Sequence, residues 1–203
     1  MNKPVSEASE RNKQPILDVI QPLFYDCDEI LEIGTGTGQH AVFFGAALPD
    51  SVWRTSDLSE NHDGILEWLR DCGTENVLPP LELDVDELPW PIKRVGGVFS
   101  ANTAHIMAWP SVVNMFFGVG QALDTGGVFC LYGPFNYNHE YTSQSNAEFD
   151  AWLKSVALHQ GIRDFEEICT LAKLHGMQLE SDITMPANNR TLVFRKMAGV
   201  QEQ

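Results

Sequence analysis

Short apolar runs alternate along this chain with stretches of helical length, and no other feature of the sequence constrains the fold as much. Several of the runs are apolar almost throughout, which is typical of parallel strands that are buried on both faces. Strands that alternate with helices form an open, doubly wound α/β sheet with helices on both faces. The predicted strands are Glu29–Ile33, Val52–Ser56, Leu81–Asp84, Val95–Ala101, Val128–Tyr132 and Thr191–Arg195.

The helical stretches are bounded by residues that favour helix ends. Gly73 follows one stretch and predicts a left-handed C-terminal cap there. Asp164 and Glu167 have the spacing of a capping box at the start of another, which stops at Gly176. The predicted helices are Gln14–Phe24, Gln39–Leu48, Gly64–Cys72, Ser111–Leu123 and Asp164–His175.

Length and composition predict one domain that spans residues 1–203. The hydrophobic share is 43%, and no apolar run reaches the roughly 18 residues that a spanning helix needs. The N-terminus has no apolar stretch of the signal-peptide kind, so we expect a cytoplasmic protein that does not bind membranes. The 4 cysteines and 6 histidines show no ligand spacing, which predicts that no metal is bound.

The net charge of −15 bears on the class of partner. Nucleic-acid phosphates are bound by clustered Lys and Arg side chains. The chain has 13 such residues, none of them clustered, against 28 acidic ones. We therefore expect a small-molecule partner rather than nucleic acid.

Two polar segments interrupt the alternation of strands and helices. Gly133–Asp150 is a long stretch with aromatic residues, and loops of this length are usually lids or binding loops, or else disordered. Met185–Arg190 reads as a turn between two strand-like runs. Ligands of open α/β sheets bind past the carboxyl ends of the strands, so both segments are candidates for substrate contacts.

The stretch ILEIGTGTGQH carries the most chemical information, because a buried strand runs into glycines and then into a helix. Gly34, Gly36 and Gly38 allow a sharp turn and the close approach of a ligand to the backbone. The helix that follows directs its free N–H groups to the same place. A dinucleotide fingerprint would have its third glycine at Gln39, and the carboxylate of Glu32 would repel a pyrophosphate. The pattern favours a ligand with a cationic end.

Further polar residues follow the next predicted strands. Asp57, about 20 residues past the glycines, can accept both hydroxyls of a ribose, or it can act as a helix N-cap. Leu58 can pack on an adenine. Asp84 can accept from an adenine amino group or can be a solvated turn acid. Asn102 lies at the end of the fourth predicted strand, within VFSANTAHI.

The motifs ILEIGTGTGQH, TSDL, LDV and SANTAHI, at these intervals, resemble the seven-stranded Rossmann-like methyltransferases that use S-adenosylmethionine. The resemblance implies a mostly parallel sheet whose antiparallel last strand is Thr191–Arg195. It also implies S-adenosylmethionine as cofactor and S-adenosylhomocysteine as product. Methylases that act on base nitrogens carry a proline motif after the fourth strand, and SANTAHI has none. By this resemblance the cofactor-binding residues are Glu32, Gly34, Thr35, Gly36, Gly38, His40, Asp57, Leu58, Asp84, Val85 and Asn102.

A closer likeness covers nearly the whole chain. The segments SERNKQPIL, EIGTGTGQHAVFF, LYGPFNY, SNAEFD, GIRD and MPANNR look like a family of methyltransferase-like proteins of unknown function. Residues 1–25 would then form an N-terminal cap region, in which Arg11 and Asn12 lie where related enzymes close over the cofactor. Residues 133–150 would form the substrate loop.

His105, three residues past Asn102, is the candidate general base, and packing beneath Trp109 or capping a helix is its alternative role. Arg163 can bind a substrate carboxylate or can pair with Asp164 or Asp150. The other candidate substrate residues can face the acceptor, or serve only packing or turn geometry: Arg11, Asn12, Tyr132, Tyr137, His139, Asn188 and Asn189.

Three functions are consistent with these patterns. A methyltransferase that acts on a small molecule agrees with all of them. A nicotinamide-dependent oxidoreductase shares the general fold, but Glu32 and Gln39 argue against it. A binding or scaffold protein that keeps a cofactor pocket without turnover also remains, because fold does not imply function.

Overall fold

The computed structural model describes residues 3–199. Its main sheet has seven strands: β1 (Glu29–Ile33), β2 (Val52–Asp57), β3 (Val77–Glu82), β4 (Val95–Ala101), β5 (Leu123–Gly133), β6 (Met177–Met185) and β7 (Asn189–Lys196). The strand order is β3-β2-β1-β4-β5-β7-β6. β7 pairs antiparallel with both β5 and β6, and β1 to β5 pair in parallel. The prediction of a doubly wound sheet with an antiparallel last strand is confirmed.

Six helices cover the two faces of this sheet: α1 (Glu7–Phe24), α2 (Gln39–Ala47), α3 (His62–Cys72), α4 (Trp109–Ala122), α5 (Gln144–Val156) and α6 (Phe165–Leu174). On one face, Phe24 of α1 and Phe44 of α2 pack with Trp53 in a fully buried aromatic cluster. On the other face, Phe116 of α4 contacts Phe129 of the sheet within a second core that includes α6. Each sheet face is therefore sealed, and ligands have access at the sheet's edge.

The third strand corrects the prediction of Leu81–Asp84. β3 begins at Val77 and ends at Glu82, so Asp84 lies beyond it. The strand contains Pro79 and Pro80, which lack an N–H and argue against a central strand. β3 pairs only with β2 at the edge of the sheet, where proline is tolerated.

The prediction of one long loop at Gly133–Asp150 is wrong in its second half. Helix α5 begins at Gln144, and its N-cap Ser143 accepts a hydrogen bond from the Asn146 N–H at 3.1 Å. The first helix is also longer than predicted, because Ser6 caps it seven residues before Gln14 by accepting from the Ser9 N–H. The turn at Met185–Arg190 is confirmed as a short 3₁₀ turn between β6 and β7.

Two predicted helix ends have other geometries. Gly73 is extended, with φ −68° and ψ 148°, so it forms no left-handed cap. The Asp164 side chain makes no capping bond to α6. Its Oδ2 instead accepts from the His139 backbone N–H at 3.0 Å and lies 2.9 Å from His139 Nδ1. Gly176, with φ 73°, does end the preceding helix in the left-handed conformation.

Candidate functional site

The turn after β1 brings its glycines into three different environments. Gly34, Gly36 and Gly38 all have positive φ, of 70°, 63° and 93°. A Cβ on Gly34 would lie 2.5 Å from Thr103 Cγ2, and one on Gly38 would lie 3.2 Å from Ile65 Cα, so both positions serve close packing. A Cβ on Gly36 would project into open space, with Gly34 O at 4.0 Å as its nearest neighbour. Gly36 is therefore where a ligand can approach the backbone.

Asp57 at the end of β2 holds this turn in place. Its Oδ2 accepts from the Gly36 N–H at 2.7 Å. Its Oδ1 accepts from the Leu58 N–H and from Asn61 Nδ2, both at 2.8 Å. An ionised carboxylate has about four lone-pair sites, so capacity remains for a ligand's donors. Leu58, which is 41% exposed, lies next in the chain.

Glu32 lies behind the turn, where it is only 2% exposed. Its Oε2 accepts from Trp53 Nε1 at 3.0 Å and from the Thr35 hydroxyl at 3.1 Å. Burial raises the pKa of Glu32 to about 7, although the hydrogen bonds from Trp53 and Thr35 oppose this shift. The carboxyl group thus supports the turn from within the core, and its predicted contact with a ligand ammonium stays a prediction.

The remaining predicted cofactor residues lie at the same edge of the sheet or next to it. Asp84 and Val85 follow β3, and Asp84 Oδ1 accepts from the Asp86 N–H at 2.9 Å. Asn102 directly follows β4 with φ 61°, and its N–H donates to Tyr132 O at 2.9 Å. His40 in α2 instead faces α1, where its Nε2 lies 2.7 Å from Asn12 Oδ1. Burial lowers the pKa of His40 to about 4.

A cavity of about 810 Å³ lies beside Asn102, past the carboxyl ends of β4 and β5. The structure brings six of the predicted site residues together in its wall: Arg11, Asn12, Asn102, His105, Tyr132 and Asn189. Helix α5 forms a further part of the wall through Asn146, Phe149 and Trp152. The cavity is large enough for a small-molecule ligand.

His105 lines the cavity on the segment between β4 and α4. Its ring packs edge-on against Phe149, with ring centroids 5.3 Å apart. Burial lowers the pKa of His105 to about 4, and the nearby Arg163 guanidinium lowers it further. The imidazole is therefore neutral at pH 7 and able to accept a proton.

Four predicted substrate residues lie outside this wall and support it. The Tyr137 hydroxyl donates to Asp182 Oδ2 at 2.8 Å, and His139 contacts Asp164. The Arg163 guanidinium donates to the carbonyl oxygens of Ala104, Met107 and His159, so it braces the segment that carries His105. Asn188 Nδ2 donates to Ser145 Oγ at 3.1 Å at the start of α5. Substrate contacts by these four stay predictions.

Comparison with known families assigns the chain. A family profile described as "Protein of unknown function (DUF938)" matches residues 3–196. The chain belongs to this DUF938 family. The resemblance to a methyltransferase-like family of unknown function is thereby confirmed.

Solved structures with the same fold are much longer than this DUF938 protein. It superimposes on an O-methyltransferase family protein from Burkholderia thailandensis with a TM-score of 0.82 and 13% identity, covering 95% of this chain and 58% of that one. The mitomycin 7-O-methyltransferase MmcR gives 0.80 and 14%, with 93% and 54% covered. Human N-acetylserotonin methyltransferase, solved with SAM, gives 0.78 and 14%, with 95% and 53% covered. The chain thus has the Rossmann-like methyltransferase fold and spans somewhat more than half of these proteins.

The cavity residues on α5 are the part of the DUF938 site that the sequence prediction missed. Asn146, Phe149, Leu153 and Val156 all line the cavity. Their spacing of three and four residues is that of one helix face, and it was a signal available in SNAEFDAWLKSV. Within residues 3–199, no group of three His, Cys, Asp or Glu side chains is placed to hold a metal ion. No helix in the same range is long and apolar enough to cross a bilayer.

Proposed function

We propose that the protein transfers a methyl group from S-adenosylmethionine to a small-molecule acceptor. One observation carries the proposal: the open face of Gly36, held by Asp57, lies at the same sheet edge as a cavity of about 810 Å³. The first fits the close approach of a cofactor to the backbone, and the second fits an acceptor. The fold shared with methyltransferases supports the same reading.

The residues around the glycine turn suit S-adenosylmethionine better than a dinucleotide. Asp57 would accept the ribose hydroxyls, and Asp84 with Val85 would hold the adenine. Gln39, at the start of α2, donates to Glu10 Oε1 at 2.6 Å, so a carboxylate approaches the helix end where a pyrophosphate would bind. Two carboxylates near this turn would repel phosphate and favour a cationic ligand.

The bound cofactor supplies an electrophilic methyl group on its sulfonium. The chain's own contribution is to orient the acceptor and exclude water, which is worth up to about 7–11 kcal/mol when the geometry is favourable. We assign His105 as the group that accepts the acceptor's proton, because its neutral imidazole lines the cavity. A well-placed general base contributes about 10²–10⁴-fold to the rate.

Calorimetry with S-adenosylhomocysteine and NAD tests the cofactor. We expect saturable binding of the former alone. Asp57→Ala should weaken it by about ten- to several-hundred-fold, since it removes acceptors for charge-assisted bonds. Asp63→Ala removes an exposed acid of α3 and is the matched control. Saturable binding of NAD without any response to S-adenosylhomocysteine would refute the proposal.

Incubation with a labelled methyl donor and a small-molecule metabolite extract tests turnover. We expect labelled small-molecule products with the unaltered protein. His105→Gln should form them about a hundredfold or more slowly, with unchanged affinity for S-adenosylhomocysteine. If the protein binds S-adenosylhomocysteine but labels nothing in extracts of varied origin, the scaffold hypothesis is correct. If His105→Gln retains full activity, His105 is only a wall residue.

A further inference from the structure

The cavity has an apolar aromatic wall that continues to its mouth. Phe149 and Trp152 of α5 stack with ring centroids 5.7 Å apart and planes inclined by 15°. Trp152 is 58% exposed, as is Val156 one helical turn further along. Ile106, on the opposite side of the same cavity, is 46% exposed. Apolar groups left in water around a cavity mark a surface that a ligand can cover.

The wall offers almost no formal charge. Among the described residues that line the cavity, Arg11 alone carries one at neutral pH. Arg11 is exposed, and its Nη1 lies 3.3 Å from Glu7 Oε2 on the outer face of α1. Asp150 lies in the same helix as Trp152, but its carboxylate is occupied by Tyr141, Lys154 and the Ile162 N–H. A charged ligand would therefore lose hydration without gaining a partner.

Asn146 provides one oriented hydrogen-bond acceptor in this wall. The residue is only 4% exposed. Its Nδ2 donates to the Asn188 carbonyl oxygen at 3.2 Å and lies 2.9 Å from Thr142 Oγ1. A carbonyl oxygen can only accept, so the contact with Asn188 determines which way the amide faces. Both amide protons are then used, and Oδ1 is left to accept from a ligand.

We propose that the methyl acceptor is an uncharged molecule with a flat apolar body and a hydroxyl or N–H donor. The body packs on Phe149 and Trp152, and the donor hydrogen-bonds to Asn146 Oδ1. Asn146 is thus a specificity-determining residue of the acceptor site. This assignment rests on the proposed function, because it names the substrate class of the same cavity.

Three probes of similar size test the three elements of the proposal: 2-naphthol, 2-methoxynaphthalene and 2-naphthoate. Their dissociation constants are measured on the full chain, with and without S-adenosylhomocysteine. We expect 2-naphthol to bind about three- to tenfold more tightly than 2-methoxynaphthalene, which lacks the donor. We expect 2-naphthoate to bind at least about tenfold more weakly than 2-naphthol, because its charge finds no partner. Equal or tighter binding of 2-naphthoate, or no binding of any probe, overturns the proposal.

Two variants separate the roles of the wall residues. Asn146→Ala should abolish the preference for 2-naphthol and leave 2-methoxynaphthalene unchanged. Trp152→Ala alters an exposed side chain and should weaken both neutral probes equally, with the preference retained. Gln144→Ala, in the exposed first turn of the same helix, is the matched control. A preference that survives in folded Asn146→Ala overturns the assignment.

The outcome for S-adenosylhomocysteine is read independently in the same titrations. Probe discrimination without any cofactor binding would sink the proposed function and leave the ligand class of the cavity standing. Cofactor binding without discrimination would do the reverse. The two ideas therefore fail separately.

Discussion

At the turn after β1, Gly36 and Glu32 lie four residues apart in opposite environments. The Gly36 backbone faces open space, whereas the Glu32 carboxyl is enclosed by Trp53 and Thr35. A side chain added at Gly36 would occupy the place of a ligand without meeting any protein atom closely. A change at Glu32 would act on the core beneath the turn. Substitutions at these residues separate binding from stability.

Gly36→Val should abolish S-adenosylhomocysteine binding while the protein still folds. The left-handed φ of 63° costs a branched side chain about 1–3 kcal/mol, and its atoms would fill the ligand's place. Gly126→Val is the control: its φ is 83°, nothing lies within 4 Å of the added Cβ, and it lies towards the amino end of β5, away from the site. Calorimetry and thermal unfolding should show similar stability losses but lost affinity in Gly36→Val alone. Unchanged affinity there would mean that the turn does not touch the cofactor.

Glu32 should make the protein less stable as the pH rises. The pKa of its carboxyl is about 7 in the folded chain, against 4.5 for the unperturbed group. Such a group destabilises the fold progressively as the pH rises from 4.5 through 7, by about 3 kcal/mol in all. Glu32→Gln keeps an acceptor for Trp53 and Thr35 but does not ionise.

Urea unfolding of both proteins between pH 4.5 and 8 measures this effect. The free energy of unfolding of the unaltered protein should fall relative to that of Glu32→Gln by about 3 kcal/mol over this range. His40 and His105, whose pKa values of about 4 make acid destabilising, are present in both proteins and so cancel. A difference between the two proteins that does not vary with pH would contradict the raised pKa.

At the scale of elements, the start of α1 is fastened to the glycine turn through the first residue of α2. Gln39 Oε1 accepts from the Ser6 N–H, and its Nε2 donates to Glu10 Oε1 at 2.6 Å. Trp68 of α3 adds a bond from its Nε1 to Pro4 O at 2.6 Å. Residues 4–10 therefore lie against the two helices that border the turn, and they lead into Arg11 and Asn12 of the cavity wall.

Gln39→Ala should loosen the first turns of α1. The variant loses at least two hydrogen bonds, each worth about 0.5–1.5 kcal/mol, so local opening becomes easier by about tenfold or more. Limited trypsin digestion should cleave after Arg11 and Lys13 correspondingly faster. Gln21→Ala, which removes a single exposed bond from α1 to the Ala47 carbonyl, should leave these cleavage rates unchanged. Equal rates in both variants would show that Gln39 does not hold the helix.

At the scale of the whole molecule, the net charge of −15 sets the field that any partner meets. The basic residues present in the structure are largely engaged with acids or carbonyl groups, as Arg190 is with Asp182 and Lys196 is with Gly120. Such a surface repels polyanions, because binding requires several cations in register with phosphates.

We therefore expect no saturable binding of single-stranded RNA or double-stranded DNA at micromolar protein concentration. The measurement is a filter-binding or anisotropy titration at low and at moderate salt. Micromolar binding that weakens as salt is added would show a basic patch in action and would contradict the proposed small-molecule acceptor.

The sequence by itself determined those features that depend on neighbouring residues. Buried runs such as Val95–Ala101 predict central strands because both faces must be apolar. The glycines of the turn and Asp57 at the end of the second strand were predicted as one ligand edge, because the carboxyl ends of parallel strands meet there. The structure places these residues together, with Asp57 bonded to Gly36.

Only the tertiary structure decided features that depend on distant residues. Pro79 and Pro80 fit a strand because β3 lies at the sheet's edge, and Asp164 leaves its own helix for His139, 25 residues earlier. Asn146 faces the cavity as an acceptor because the carbonyl of Asn188, 42 residues later, holds its amide. Strand order and hydrogen-bond partners of this kind are set by packing across the molecule, which no local pattern encodes.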